Sequence, residues 1–209
     1  MSSYTLNIQF DPAGLNAIRL SQQKVTLVKA TMPSSAPVAW VTFVPQLNNT
    51  ITWSEEYAVY ASTTEIESGA TIHTSSAMVA AGGNINQFET GYFPKSTAGL
   101  PQNKYGIHNN DPDPQFAAIT AGLAQAVSGS VKVPFSPLNA TNVLYNNTGV
   151  YTPVEKVKVF AEAHVNNALV LSDITSPTLE VDLTQTTTQT IHYDSVNHMF
   201  AKGPLPTNK

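Results

Sequence analysis

Apolar and polar residues alternate in short runs along most of the chain. The first run, Tyr4-Thr5-Leu6-Asn7-Ile8-Gln9-Phe10, sets the style. A period of two places alternate side chains on opposite faces, so each run predicts a strand with one buried face. Further strands are predicted at 24–29, 37–45, 51–53, 88–93, 131–133, 142–145, 178–183 and 188–193, separated by Pro, Gly, Asn and Ser clusters such as Pro33-Ser34-Ser35. Trp40, inside an apolar run, is expected in the core. Helical signals are few. Asp11 followed by Pro12 reads as an N-cap and a first helical residue, although Gly14 weakens the segment. At 116–127, Phe116, Ile119, Leu123 and Val127 fit a helix, yet the last three also share one side of a strand; a short helix or an irregular connection is expected there.

A pattern near the front recurs near the back. Asn48-Asn49-Thr50 matches Asn146-Asn147-Thr148, and an offset of one hundred positions sets Glu55, Tyr57, Val59, Tyr60 and Ala61 on Glu155, Val157, Val159, Phe160 and Ala161. In the second copy Val157, Val159, Ala161, Ala163 and Val165 share one face. Tyr60 and Phe160 point away from the aliphatic rows, which implies a second buried face or a displayed ring. Each copy is expected to turn as a hairpin, at Ser68-Gly69-Ala70-Thr71-Ile72 and at Asn166-Asn167-Ala168-Leu169-Val170, since Gly and Asn tolerate positive φ. About a dozen short strands with frequent turns indicate an all-β fold, an antiparallel β-sandwich built from two pseudo-repeated halves of immunoglobulin-like size with few short helices. The expected organisation is a first half at 1–93, a connecting loop at 94–114, a second half at 115–200 and a loose tail at 201–209. The halves are expected to pack closely as a pair, because so weakly charged a chain would otherwise expose more apolar surface.

Composition narrows the chemistry. The 209 residues are 42% hydrophobic, enough to bury a substantial core without staples, and cysteine is absent, which excludes disulfides and thiolate ligands. Charged residues make up only 11%, with 10 Lys and Arg against 14 Asp and Glu, whereas Ser, Thr, Asn and Gln supply about a third of the chain. A net charge of −4 without a basic cluster argues against nucleic acid and anionic membranes. No apolar run is long enough for a transmembrane helix, and the start of the chain lacks the features of a signal peptide, so a cytoplasmic location is expected.

Candidate sites are few. Asn109, Asp111 and Asp113 alternate in a loop and present oxygens as a calcium site would, but the EF-hand order of ligands is absent; no cofactor is expected, and calcium is the one cation this loop suggests. His192, Asp194 and His198 form the densest set of transition-metal donors, without regular spacing. Ser128-Gly129-Ser130 is a turn and not a nucleophile elbow, and the adjacent Glu55 and Glu56 point to opposite strand faces, so no enzyme is expected. The threonine-rich stretch 184–190 lacks the alternating apolar residues of a membrane barrel.

These features favour a non-catalytic, lectin-like binding protein for neutral glycans. Trp53, Tyr60, Tyr92, Tyr105 and Tyr151 are the rings expected to stack on sugars, with Trp53 placed at the surface by its polar neighbours Thr52 and Ser54. The alternatives are a self-assembling protein that forms homo-oligomers, since low charge removes the repulsion that keeps exposed strands apart, and a pore-forming or defence protein.

Overall fold

The computed structural model describes residues 2–33, 35–171 and 174–206. The chain runs β1 (Ser3–Gln9), α1 (Pro12–Leu20), β2 (Gln23–Met32), β3 (Ala36–Pro37), β4 (Val41–Phe43), β5 (Asn48–Ser54), β6 (Tyr57–Ser62), β7 (Ser76–Ala80), β8 (Asn84–Glu89), β9 (Tyr92–Ala98), β10 (Tyr105–Asn109), β11 (Ala118–Gly129), β12 (Val133–Pro137), β13 (Asn139–Leu144), β14 (Thr148–Ala163), β15 (Leu179–Asp182), β16 (Thr188–Asp194) and β17 (Met199–Lys202). The described residues form an all-β sandwich of two packed sheets with one α-helix. The helix begins as the sequence predicts: the Asp11 carboxylate accepts the Gly14 N–H at 2.6 Å, and Pro12 fills the first helical position.

The larger sheet has ten strands. Its main path is β17-β16-β1-β5-β11-β13-β3, with β12 and β6 also paired to β11, and β7 paired to β6. The smaller sheet runs β4-β2-β14-β10-β8-β9, with β15 beside β14. Pairing is antiparallel except for β1 with β16 and β8 with β10. One long strand serves as the hub of each sheet. Strand β11 pairs with β6 and β13 in its first half and with β5 and β12 in its second, whereas β14 pairs first with β10 and then with β2 and β15. Both sheets therefore take strands from either side of residues 94–114.

The inward rows follow the strand period. Leu6 and Ile8, Val25 and Leu27, Ile119 and Leu123, and Val157 and Val159 are all buried between the sheets in one continuous core. Two satellite cores lie on the outer faces. Tyr60 packs with Val38, Ala58, Ile72 and Val170, and Phe160 packs with Val28, Ala39, Val165 and Leu171. The rings that point away from the aliphatic rows thus have a second buried face. Val59 and Val159 are equally buried, but they lie in different sheets with different strand partners.

Three local expectations are corrected. The segments 68–72 and 166–170 are not hairpins: they pair with each other through the Thr71–Leu169 bridge, with the Gly69 N–H donating to the Val170 carbonyl and the Val170 N–H to the Ala70 carbonyl. Each segment thereby supplies backbone partners to the other where Ile72 and Val170 turn into the satellite core. The region 94–114 is not one loop. It holds most of β9 and all of β10, whose Tyr105, Ile107 and Asn109 point inward. The segment 116–127 belongs mainly to β11 rather than to a helix, because it is covered on both faces and flanked on both edges. Its small residues permit that crowding: a Cβ at Gly122 would stand 2.5 Å from the Asn139 carbonyl of β13. The turn at Pro33-Ser34-Ser35 and the tail at 201–209 fall partly outside the described residues.

Candidate functional site

Three polar residues occupy inward rows that are otherwise aliphatic. Lys29 follows Val25 and Leu27 on β2, Gln125 lies between Leu123 and Val127 on β11, and Glu155 precedes Val157 and Val159 on β14. They meet between the sheets. Lys29 Nζ donates to Gln125 Oε1 at 2.8 Å and to Glu155 Oε1 at 2.9 Å, and its side chain is 0% exposed. Around it, the Tyr57 hydroxyl donates to Glu155 Oε1 at 2.6 Å and the Trp53 indole N–H to Glu155 Oε2 at 2.9 Å. The Gln125 amide donates to the Ser54 carbonyl at 2.6 Å, and the Trp40 indole N–H to the Gln125 carbonyl at 3.0 Å.

The backbone of β14 brings the carboxylate into place. Pro153 pairs with Thr31 and Val157 with Lys29, so residues 154–156 stand against Ala30 alone. This irregularity sits beside the ion pair and is held by the Leu183 N–H, which donates to the Glu155 carbonyl at 2.8 Å. Aromatic rings close the rest of the cage. Lys29 Nζ lies 5.6 Å from the Trp40 ring centroid, 5.4 Å from Trp53 and 5.2 Å from Tyr57. Cation–π attraction and the carboxylate offset part of the desolvation cost. Burial still dominates and pushes the Lys29 ammonium down to about 8, with the Glu155 charge acting in the opposite direction.

The stacking residues fall in different places. Trp53 is 2% exposed, stacked on Tyr4 and edge-on to Trp40, so its expected surface position is corrected: Thr52 and Ser54 face the other way along the strand, and the alternation places Trp53 inward. Tyr60, Tyr105 and Tyr151 are also buried, the first with its hydroxyl bonded to the Asn139 carbonyl. Tyr92 alone of the five is exposed, at 53%.

The side chains of the suggested calcium loop are engaged by the loop and by the strands beside it. Asp111 accepts the N–H groups of Gly91 and Asp113, Asp113 accepts that of Gln115, and Asn109 donates to the Phe116 and Val143 carbonyls. Asn109 and Asp111 are buried by this work. His192 Nδ1 lies 3.0 Å from the Gly203 carbonyl, while Asp194 accepts the N–H groups of Val196 and Asn197. Among the described residues, no group of three or more His, Asp or Glu side chains is arranged to hold a metal. Nor is any described helix long and apolar enough to cross a membrane.

Comparison of the chain with protein-family models, curated proteins and solved structures finds no match.

The buried ion pair and the buried tyrosines each generate a prediction. Replacing Glu155 with Ala leaves a buried ammonium without its counter-charge and should cost roughly 3–5 kcal/mol in urea denaturation, whereas the double replacement Lys29→Met/Glu155→Leu should recover a large part of that loss. Alkaline denaturation should also be cooperative. Burial raises the Tyr57 and Tyr60 hydroxyls, and it raises those of Tyr4 and Tyr151 to about 12, against 10.0 for a free side chain. Their contribution to stability is therefore complete below pH 10 and lost as pH rises above it. Tyrosinate absorbance from these groups should appear together with loss of the β-sheet circular dichroism signal, not ahead of it.

Proposed function

We propose that this chain is a self-assembling β-sandwich building block whose copies join through β7. The reading rests on one observation: β7 is a sheet edge without charge or proline, near β9 of the other sheet but with no hydrogen bond to it among the described residues. Its sequence, Ser76-Ala77-Met78-Val79-Ala80, has neither charge nor proline, and residues 68–88 contain no Asp, Glu, Lys or Arg. One side of β7 pairs with β6, and among the described residues no hydrogen bond reaches the other side. Met78 and Ala80 pack toward the core, while Ala77 and Val79 are exposed, the latter at 56%.

The other edges are guarded. Strand β9 carries Pro94 and Lys95, β15 carries Glu180 and Asp182, β17 ends in Lys202, and β3 and β12 contain prolines. The short β4 is capped, since the Thr42 N–H donates to Asn167 Oδ1 at 2.6 Å. Proline, charge and side-chain caps are the usual devices against edge-to-edge pairing, and β7 uses none of them. Its natural occupant is β7 of a second copy. An antiparallel pair about a two-fold axis brings no charges together and continues the ten-stranded sheet across both copies. Glycan binding, by comparison, retains only Tyr92 of its five candidate rings at the surface.

Sedimentation velocity across a concentration series tests the proposal. The wild-type chain should associate, and Val79→Lys should remain monomeric with an unchanged melting temperature, because the substituted side chain lies outside the core. A wild-type chain that stays monomeric throughout the series contradicts it.

A further inference from the structure

The cage around Lys29 holds more than an ion pair. An amine, a carboxamide and a carboxylate meet between the sheets, with the Lys29 side chain fully buried and that of Glu155 12% exposed, and this is the set of groups that an amide exchange requires. Lys29 Nζ is within hydrogen-bond distance of the Gln125 amide oxygen, at 2.8 Å, and of the Glu155 carboxylate, at 2.9 Å. The amide is held from its far side, where Nε2 donates to the Ser54 carbonyl at 2.6 Å. The carboxylate is held by Tyr57 and Trp53. We propose that Lys29 and Gln125 join in an intramolecular isopeptide bond, with Glu155 carrying the protons.

Glu155 Oε1 takes a proton from the Lys29 ammonium, which leaves a neutral amine facing the carboxamide. The nitrogen lone pair attacks Gln125 Cδ, forming the Nζ–Cδ bond and a tetrahedral centre. Glu155 returns its proton to Nε2, and a second proton passes from Nζ by the same carboxylate. The Cδ–Nε2 bond then breaks, the carbonyl re-forms, and ammonia departs. One amide replaces another. No oxidant, reductant or other co-reactant enters, and the carboxylate ends as it began once the released ammonia takes up a proton as ammonium.

Three physical features favour the step. Burial weakens the ammonium form, as the lowering of Lys29 to about 8 reflects, so the nucleophilic amine is within reach of a neighbouring base. The fold holds the reacting groups together and removes the entropy of a bimolecular encounter. The carboxylate touches the amine whose protons must move, which is the placement required of a general acid–base. In the product the new N–H can donate to Glu155, whose carboxylate keeps the Tyr57 and Trp53 donors in place of the lost ammonium. Because Lys29 belongs to β2 and Gln125 to β11, the bond ties one sheet covalently to the other across the core.

Denaturing mass spectrometry of the intact chain tests this directly. The wild-type protein should be lighter than its sequence by one ammonia molecule, and a proteolytic digest should contain a branched peptide joining the Lys29 and Gln125 segments. Lys29→Met and Gln125→Leu should each have the full mass expected from their sequences. Glu155→Gln, where circular dichroism shows it folded, should have the full mass or lose ammonia much more slowly. A wild-type chain that keeps its full mass after prolonged incubation overturns the proposal, and that reading depends on no variant folding. A deficit that persists in Lys29→Met assigns the loss to another residue, such as an asparagine closing to a succinimide, and overturns it equally. A branched peptide in Glu155→Gln formed at the wild-type rate overturns the role given to Glu155.

Discussion

A lysine enclosed between two sheets is the constraint on which the rest of this structure turns. An isolated ammonium in such a place would lose its proton or draw in water, because desolvating a charge costs several kcal/mol. Here the surroundings answer the amine on each side: Gln125 and Glu155 accept its hydrogen bonds, and Trp40, Trp53 and Tyr57 offer ring faces. Lys29 and Glu155 come from the smaller sheet, while Gln125, Trp53 and Tyr57 come from the larger. Sliding one sheet over the other would leave a buried charge or a buried amide without its partner. Aliphatic contacts tolerate such sliding far better. The polar cage therefore selects one relative position of the sheets from among many of similar hydrophobic burial.

Much of the fold was legible from the period of two. The rows containing Leu6 and Ile8, Val25 and Leu27, and Val157 and Val159 do face the core, and Asp11-Pro12 does open the helix. The failures have physical causes. The stretch 116–127 has the small residues and mixed spacing of a helix, and only its neighbours decide that it is a strand. At 166–170 the chain resembles a hairpin because Asn marks turns, but its hydrogen-bond partners lie far away in sequence, in 68–72 and at Ala39. Local signals identify a turn and cannot say what the segment beyond it will meet.

The candidate site shows the same division. Polar neighbours in a strand report on the opposite face, so Thr52 and Ser54 misplace Trp53. The useful signal is a polar residue standing in an aliphatic row, and Lys29, Gln125 and Glu155 each have it. What no single row reveals is that the three rows converge, because Glu155 depends on an irregular register in β14 and Gln125 on a strand from the other sheet. The unguarded edge at β7 was visible in part as a long stretch without charge. Its exposure becomes evident only beside edges that carry proline, lysine or a side-chain cap.

The buried amine is the centre of this account, and nitrogen-15 NMR of lysine side chains observes it most directly. One lysine Nζ should give a resonance whose attached hydrogen persists in heavy water, as the amide of an isopeptide bond or as an enclosed ammonium, and Lys29→Met should remove that resonance alone. If every lysine Nζ exchanges its hydrogens as fast as an exposed amine does, Lys29 does not lie between the sheets and the account of how they are held together is wrong.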